Sequence, residues 1–188
     1  MLFIGDQIPS TEIEVFHQNQ IKKINLADFR GKWLVLLFYP ADFTFVCPTE
    51  LEDAAEKYPD FQKMNAEILS ISTDTAFVHK AWHDHSQAIS KIQYPMGADP
   101  SGKICRLFGT YIESEGLSTR ATFIIDPDQK VVAIEMHDNS IGRNIDEIYR
   151  KLQAADFVRQ NNGSVVCPAK WKPGDKTLKP GVDLIGKI

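Results

Sequence analysis

The stretch Trp33-Leu-Val-Leu-Leu-Phe-Tyr-Pro-Ala-Asp-Phe-Thr-Phe-Val-Cys-Pro-Thr-Glu-Leu-Glu-Asp-Ala-Ala-Glu-Lys-Tyr58 contains a strand, a turn and the start of a helix. Residues 33–39 are apolar without interruption, as in a central strand covered on both faces, and Pro40 stops the run. Leu51, Ala54, Ala55, Tyr58 and Phe61 then recur at a helical period, and Pro48 stands where a first helical turn accepts proline. Cys47 is therefore expected at a strand-loop-helix junction, on the helix N-terminus.

Working outward, residues 12–17 and 21–24 read as a short hairpin across His17–Gln20. A strand follows at Glu67–Ser72, then a helix from about Thr75 to Gln87 capped by Thr73 or Asp74. A short helix runs from Asp99-Pro-Ser101 through Cys105 to Phe108, and residues 121–125 and 131–136 form a hairpin about Asp126–Gln129. The last helix opens at Asn144 with Glu147 three residues on, and its stripe is Ile145, Ile148, Tyr149, Leu152 and Ala155. From Asn161, Pro168, Pro173, Gly174, Pro180 and Gly181 prevent regular structure. The expectation is an α/β domain of thioredoxin-like order over residues 1–160, with an N-terminal hairpin and helical additions, and an extended C-terminal arm over 161–188. An arm of that length needs a surface to lie on, which favours an oligomer.

Composition narrows the classes of function. The 188 residues are 43% hydrophobic and 24% charged, with a net charge of −4. An acidic chain without basic runs is not expected to bind nucleic acid or an anionic membrane. Met1–Asp6 has neither a basic segment nor an apolar stretch of signal length, so a cytoplasmic location is expected. The cysteines Cys47, Cys105 and Cys167 are too few and too scattered for a disulfide-stapled fold, and no C-x-x-C pair is present.

A thiol attacks only as its thiolate, which a helix N-terminus favours through free N–H groups and the positive dipole end. Ionisation alone does not make a fast catalyst, because nucleophilicity falls with basicity (Brønsted slope ~0.4–0.5). Rate must come from positioning the electrophile and stabilising the departing atom. Near Cys47 the sequence offers Thr44 as a hydroxyl that can donate and accept, Pro40 as a rigid shield, and Glu50 as a carboxylate that orients a cation.

The pattern Pro40-x-x-x-Thr44-x-x-Cys47, within Phe38–Glu50, resembles the active-site signature of typical two-cysteine peroxiredoxins. Further matches are Ser72-Thr-Asp-Thr75, His79-Lys-Ala-Trp82, Arg120–Asp126 and Gly142-Arg143. The ending, Val166–Trp171 through Leu184–Ile188, is similar to the alkyl hydroperoxide reductase C branch of bacteria. The resemblance implies a thiol-dependent peroxidase acting on hydrogen peroxide and alkyl hydroperoxides, with no cofactor or metal. Cys47 becomes the peroxidatic cysteine and Cys167 the resolving one, joined between subunits as a disulfide. Arg120 becomes the guanidinium that favours the thiolate and binds peroxide, held by Glu50, with Arg143 a second arginine nearby. Implied partners are a homodimer assembling to a decamer and a disulfide reductase, either a flavoprotein or thioredoxin. A redox-linked chaperone role is an additional family property.

Other features read more plainly. Cys105 lies on an apolar helical face and is expected in the core. His79, His83 and His85 have spacing that can hold zinc but lack completing ligands, so a solvated face is expected. Trp82 is read as an interface or core anchor. Lys170, Lys172, Lys176 and Lys179 read as a solvated face, with steering of a reductase as the second reading. A second-cysteine oxidoreductase is disfavoured because Pro48-Thr-Glu50 supplies no partner thiol. The absence of a Gly-Gly-Leu-Gly insertion near Lys91–Pro100, and an ending without a Tyr-Phe helix, lead to an expectation of resistance to sulfinic acid formation.

Overall fold

The computed structural model describes residues 1–187, so Ile188, the last position of the expected arm, lies outside the described residues. The chain packs as two compact units, 1–145 and 146–188.

In the first unit the strands are β1 (Glu12–His17), β2 (Gln20–Asn25), β3 (Trp33–Phe38), β4 (Ala66–Ser72), β5 (Met96–Ala98), β6 (Tyr111–Ile112), β7 (Leu117–Ser118), β8 (Arg120–Ile125) and β9 (Val131–His137). The helices are α1 (Cys47–Lys63), α2 (Ala76–His85) and α3 (Lys103–Phe108), while α4 (Ile145–Gln160) opens the second unit. Seven strands form one sheet in the order β2-β1-β5-β4-β3-β8-β9, and β6 and β7 form a small separate ribbon. β3, β4 and β5 run parallel, and the flanking pairs are antiparallel.

The central position of β3 explains its unbroken apolar sequence: every residue from Trp33 to Phe38 is buried. Leu34, Leu36 and Phe38 face a core with Leu69 and Ile71 of β4, Phe123 and Ile125 of β8, and Ile104, Cys105 and Phe108 of α3. Cys105 is thus core, as expected, and α1 packs along β4.

Topology brings the functional segments to one edge. β3 and β8 are antiparallel with Phe38 opposite Ala121, so the end of β3 and the start of β8 meet there. Arg120 therefore arrives beside the loop that leaves β3 for α1.

Local sequence sets the ends of the elements. Thr75, not Thr73 or Asp74, caps α2: its hydroxyl accepts from the Val78 N–H, and the helix ends at His85, before Gln87. Asp74 instead accepts from the Asp42 N–H at 2.9 Å and from the Ser72 hydroxyl at 2.8 Å, tying the loop after β3 to the end of β4.

In the second unit the described residues after Gln160 carry little regular structure. Val166 and Leu178 form an antiparallel bridge, and Val182–Leu184 make a 3-10 turn. Trp171 is buried with its ring 5.1 Å from that of Phe157, and its carbonyl accepts from Arg150 Nη1 at 2.9 Å. The four arm lysines are exposed.

The expected solvated histidine face is corrected at His79, which is wholly buried. Its Nδ1 lies 2.7 Å from Asp42 Oδ2 and its Nε2 lies 3.0 Å from the Gly97 carbonyl. A carbonyl only accepts, so Nε2 donates there. The Tyr39 hydroxyl donates to the other Asp42 oxygen at 2.7 Å, closing a buried network under the loop. Burial pushes the Asp42 carboxyl above its ordinary value, and His79 opposes that push. Periodicity gave the spacing of the three histidines; the face was decided by Asp42, 37 residues away. Trp82 is buried, while His83 is half-buried and His85 exposed.

Replacing His79 by Leu leaves Asp42 Oδ2 without its imidazole partner and only the Tyr39 hydroxyl on Oδ1, and is predicted to destabilise the fold by about 3–5 kcal/mol. His85→Ala changes stability by less than about 0.5 kcal/mol. Urea unfolding of both variants measures the contrast.

Candidate active site

Cys47 is the first residue of α1 and is fully buried. The start of this helix is weakly held. Val46 has helical dihedrals and makes no side-chain cap, and Pro48 has no N–H to offer. The Thr49 N–H, the Glu50 N–H and the Thr49 hydroxyl all donate to one carbonyl, that of Val46, at 3.1, 3.3 and 2.7 Å.

Beside the sulfur lies a buried cluster of charges. Arg120 Nη1 is 3.3 Å from Cys47 Sγ and donates to Glu50 Oε2 at 2.7 Å. Glu50, whose side chain is only 2% exposed, also receives Arg143 through three donors. The Arg143 backbone N–H and Nε meet Oε1 at 2.7 and 3.0 Å, and Nη2 meets Oε2 at 2.9 Å. Arg143 Nη1 donates to the Ala121 carbonyl at 3.0 Å, so every nitrogen of that guanidinium is engaged. Arg120 differs: its Nε donates to the Asn139 carbonyl at 2.9 Å, and among the described residues no acceptor meets its Nη2.

The ionisation of Glu50 follows from its neighbours. Burial alone opposes the charge, but Arg143 foremost and then Arg120 overcome it and hold the carboxyl below the usual glutamate value. One carboxylate between two guanidiniums gives the cluster a net positive charge next to the sulfur, a setting that stabilises an anion there.

The remaining predicted residues fall into two groups. Pro40 is buried and Thr44 is half-buried in the loop between β3 and α1. The Thr44 hydroxyl donates to the Ala41 carbonyl at 2.8 Å, which leaves its lone pairs to accept from a ligand. Cys167 belongs to the second unit, where its half-buried thiol approaches the Ala154 carbonyl at 3.8 Å. Burial raises that thiol above its ordinary value, and the Arg150 guanidinium works against the rise. All three cysteines are free. Cys105 is pushed up to about 12 by burial and then by Asp99, so it stays a protonated core side chain.

Sequence reasoning missed Asn139, Tyr94 and the pair Asp42–His79. Tyr94 is buried and its hydroxyl donates to the Leu51 carbonyl of α1 at 2.9 Å. Asn139 and Tyr94 lie outside the motifs singled out in the sequence, and Asp42 and His79, though inside such motifs, are 37 residues apart, so spacing carries no signal for their pairing. Among the described residues no group of three or more His, Cys, Asp or Glu side chains is gathered to hold a metal ion. No helix among them is long and apolar enough to cross a membrane.

Comparison with known proteins gives consistent matches. Residues 4–134 match the family described as AhpC/TSA, and residues 154–187 match the C-terminal domain of 1-Cys peroxiredoxin. Alkyl hydroperoxide reductase C of Staphylococcus aureus is 54% identical over 171 residues, which is 91% of this chain and 90% of that protein. The crystal structure of Enterococcus faecalis AhpC superposes with a TM-score of 0.86 at 43% identity, covering 89% of this chain and 100% of that one. A reduced 2-Cys peroxiredoxin from Plasmodium vivax gives 0.92 at 30% identity over 97% and 96% of the two chains.

Glu50→Gln leaves two buried guanidiniums against a neutral amide and is predicted to destabilise the protein by about 3–5 kcal/mol at neutral pH. Because the folded value of Glu50 lies below the ordinary glutamate value of about 4.3, its contribution is complete above that value. It is lost as pH falls through the lower, folded value. Urea unfolding across pH will therefore show a constant gap between wild type and variant above about pH 5 and a shrinking gap below about pH 4.

Proposed function

The chain belongs to the AhpC/TSA family and is a peroxiredoxin of the alkyl hydroperoxide reductase type, and on that premise we propose that Cys47 reduces the peroxide while Cys167 resolves it. The observation that carries this reading is the Arg120 guanidinium, which reaches Cys47 Sγ through Nη1 and whose Nη2 meets no acceptor among the described residues. A hydroperoxide is small, with two oxygens that need donors as the O–O bond breaks, and Nη2 is an available donor beside the nucleophile.

In the proposed cycle the Cys47 thiolate attacks the nearer peroxide oxygen in line with the O–O bond. A sulfur–oxygen bond forms and the O–O bond breaks, and its electron pair leaves on the far oxygen as hydroxide or alkoxide. Arg120 stabilises that charge, Thr44 accepts the hydroperoxide proton's hydrogen bond, and Pro40 shields the site from water. Cys47 keeps the attacked oxygen with its proton as a sulfenic acid, and the departing oxygen takes up from water the proton that the Cys47 thiol released on ionising and leaves as water or an alcohol. The thiol of Cys167 then attacks the sulfenic sulfur, its proton leaves with the hydroxide as water, and a Cys47–Cys167 disulfide forms. A disulfide reductase, a flavoprotein or thioredoxin, returns two electrons.

The buried sulfur must emerge for the second step, and the helix start favours this. The first turn lacks a side-chain cap and Pro48 has no N–H to donate, which favours unwinding of Cys47–Thr49. Glu50 is clamped by two arginines and halts the unwinding there. We assign the disulfide to two subunits of a homodimer, with assembly to a decamer, a cytoplasmic location and residues 161–188 as the delivering arm.

Non-reducing electrophoresis after one equivalent of peroxide separates the roles. Wild type is predicted to run as a disulfide-linked dimer, Cys167→Ser as a monomer trapped by a sulfenic acid reagent, and Cys47→Ser to consume no peroxide. A linked dimer in Cys167→Ser contradicts the resolving assignment. Thr44→Val is predicted to lower kcat/KM for peroxide by about a hundredfold in the coupled assay.

A further inference from the structure

Arg120 poses a geometric problem. A guanidinium beside a carboxylate prefers a two-bond fork with both oxygens. In this site that fork belongs to Arg143, which meets both Glu50 oxygens, whereas Arg120 makes a single bond to Oε2. One bond to Glu50 and one contact to Cys47, both through Nη1, leave the guanidinium free to rotate about its long side chain. Something else must fix its plane.

That role falls to the turn after β9. Arg120 pairs with His137 at the end of the β8–β9 ladder, and the chain then curls back over Asp138–Ile141. The Asp138 carboxylate accepts from the Ser140 N–H at 2.8 Å and from the Ser140 hydroxyl at 2.6 Å, and the Ile141 N–H donates to the Asp138 carbonyl at 3.0 Å. Asp138 is held below its ordinary value by those Ser140 donors, so the turn is shaped by its own bonds. Asn139 sits between these anchors and meets Arg120 twice. Its Oδ1 accepts from the Arg120 backbone N–H at 3.0 Å, and its carbonyl accepts from Arg120 Nε at 2.9 Å.

We propose that Asn139 is a positioning residue for peroxide reduction: its side chain locks the turn onto the Arg120 backbone so that its own carbonyl holds Arg120 Nε and aims Nη2 at the substrate. The inference rests on Arg120 acting on peroxide as set out above. With Nε fixed, the guanidinium plane is defined by Asn139 on one side and by Glu50 and Cys47 on the other. The Thr119 hydroxyl still donates to the His137 carbonyl at 3.0 Å, so loss of the Oδ1 bond loosens the turn at Asn139 rather than detaching it, and the carbonyl that holds Arg120 Nε loses its fixed place. Misplacing a group by about 1 Å lowers rates by as much as a hundredfold.

The test compares Asn139→Ala and Asn139→Asp with wild type, using competition with a second peroxidase to measure the bimolecular rate of hydrogen peroxide with reduced full-length protein. Asn139→Ala removes the acceptor and is expected to slow this step roughly ten- to a hundredfold. Asn139→Asp keeps an oxygen at the same place and is expected to return the rate to within about threefold of wild type. Formation of the disulfide after sulfenic acid, followed by stopped flow, should stay at the wild-type rate in both variants. A purely structural role would instead lower the thermal midpoint and slow both steps together. The proposal is overturned if Asn139→Ala reacts at the wild-type rate, if Asn139→Asp is as slow as Asn139→Ala, or if both steps slow equally. Wild type failing to react with peroxide overturns the parent reading instead, independently of the variants.

Discussion

One buried carboxylate organises the site. Glu50 sits one turn into α1, reaches Arg120 from β8 and reaches Arg143 from the segment just before α4. These segments are 70 and 93 residues away in sequence, and the sheet topology brings them to a common edge. A carboxylate with 2% side-chain exposure is unfavourable alone, and two guanidiniums make it stable as an anion. The two arginines differ in their bond pattern: Arg143 spends its donors on Glu50 and the Ala121 carbonyl, while among the described residues no acceptor meets Arg120 Nη2, the donor that the proposed mechanism uses.

The same clamp separates what is rigid from what can move. Beyond Glu50 the helix is fixed through Tyr94 and the packing of α1 on β4. Before it, three donors share the Val46 carbonyl and no side chain caps the helix. The loop that leads in is tied by Asp74, and from beneath by the buried Tyr39–Asp42–His79 network. A peroxidase that alternates between attack and disulfide formation needs a fixed pocket in the first step and a mobile cysteine in the second. The boundary between the two lies within one helical turn.

Much of this was legible in the chain. The continuous apolar run at residues 33–39, the proline after it and the helical period from Leu51 are strong local signals, and they located Cys47 on the first residue of α1. The hairpins and the short helix through Cys105 follow from equally local patterns. What local pattern cannot supply is which face of a helix finds a partner. His79 lies one helical turn before half-buried His83 on the same helix as exposed His85, and its pairing with Asp42 places it in the core. Likewise, Arg120 read from sequence is an arginine at a strand end, and its value comes from bonds to Glu50 and Asn139 made across the fold. In residues 161–187 prolines and glycines signal the scarcity of regular structure, but not the packing of Trp171 on Phe157.

The central claim is that Arg120, held by Glu50, makes Cys47 selective for peroxide rather than merely reactive. The direct measurement is the ratio of two Cys47 rate constants, one with hydrogen peroxide and one with iodoacetamide, in wild type and in Arg120→Met. Loss of the donor is predicted to slow the peroxide reaction by at least about a hundredfold while alkylation changes by less than about tenfold. An equal fall in both rates would contradict the account and reduce Arg120 to a group that only maintains a reactive thiol.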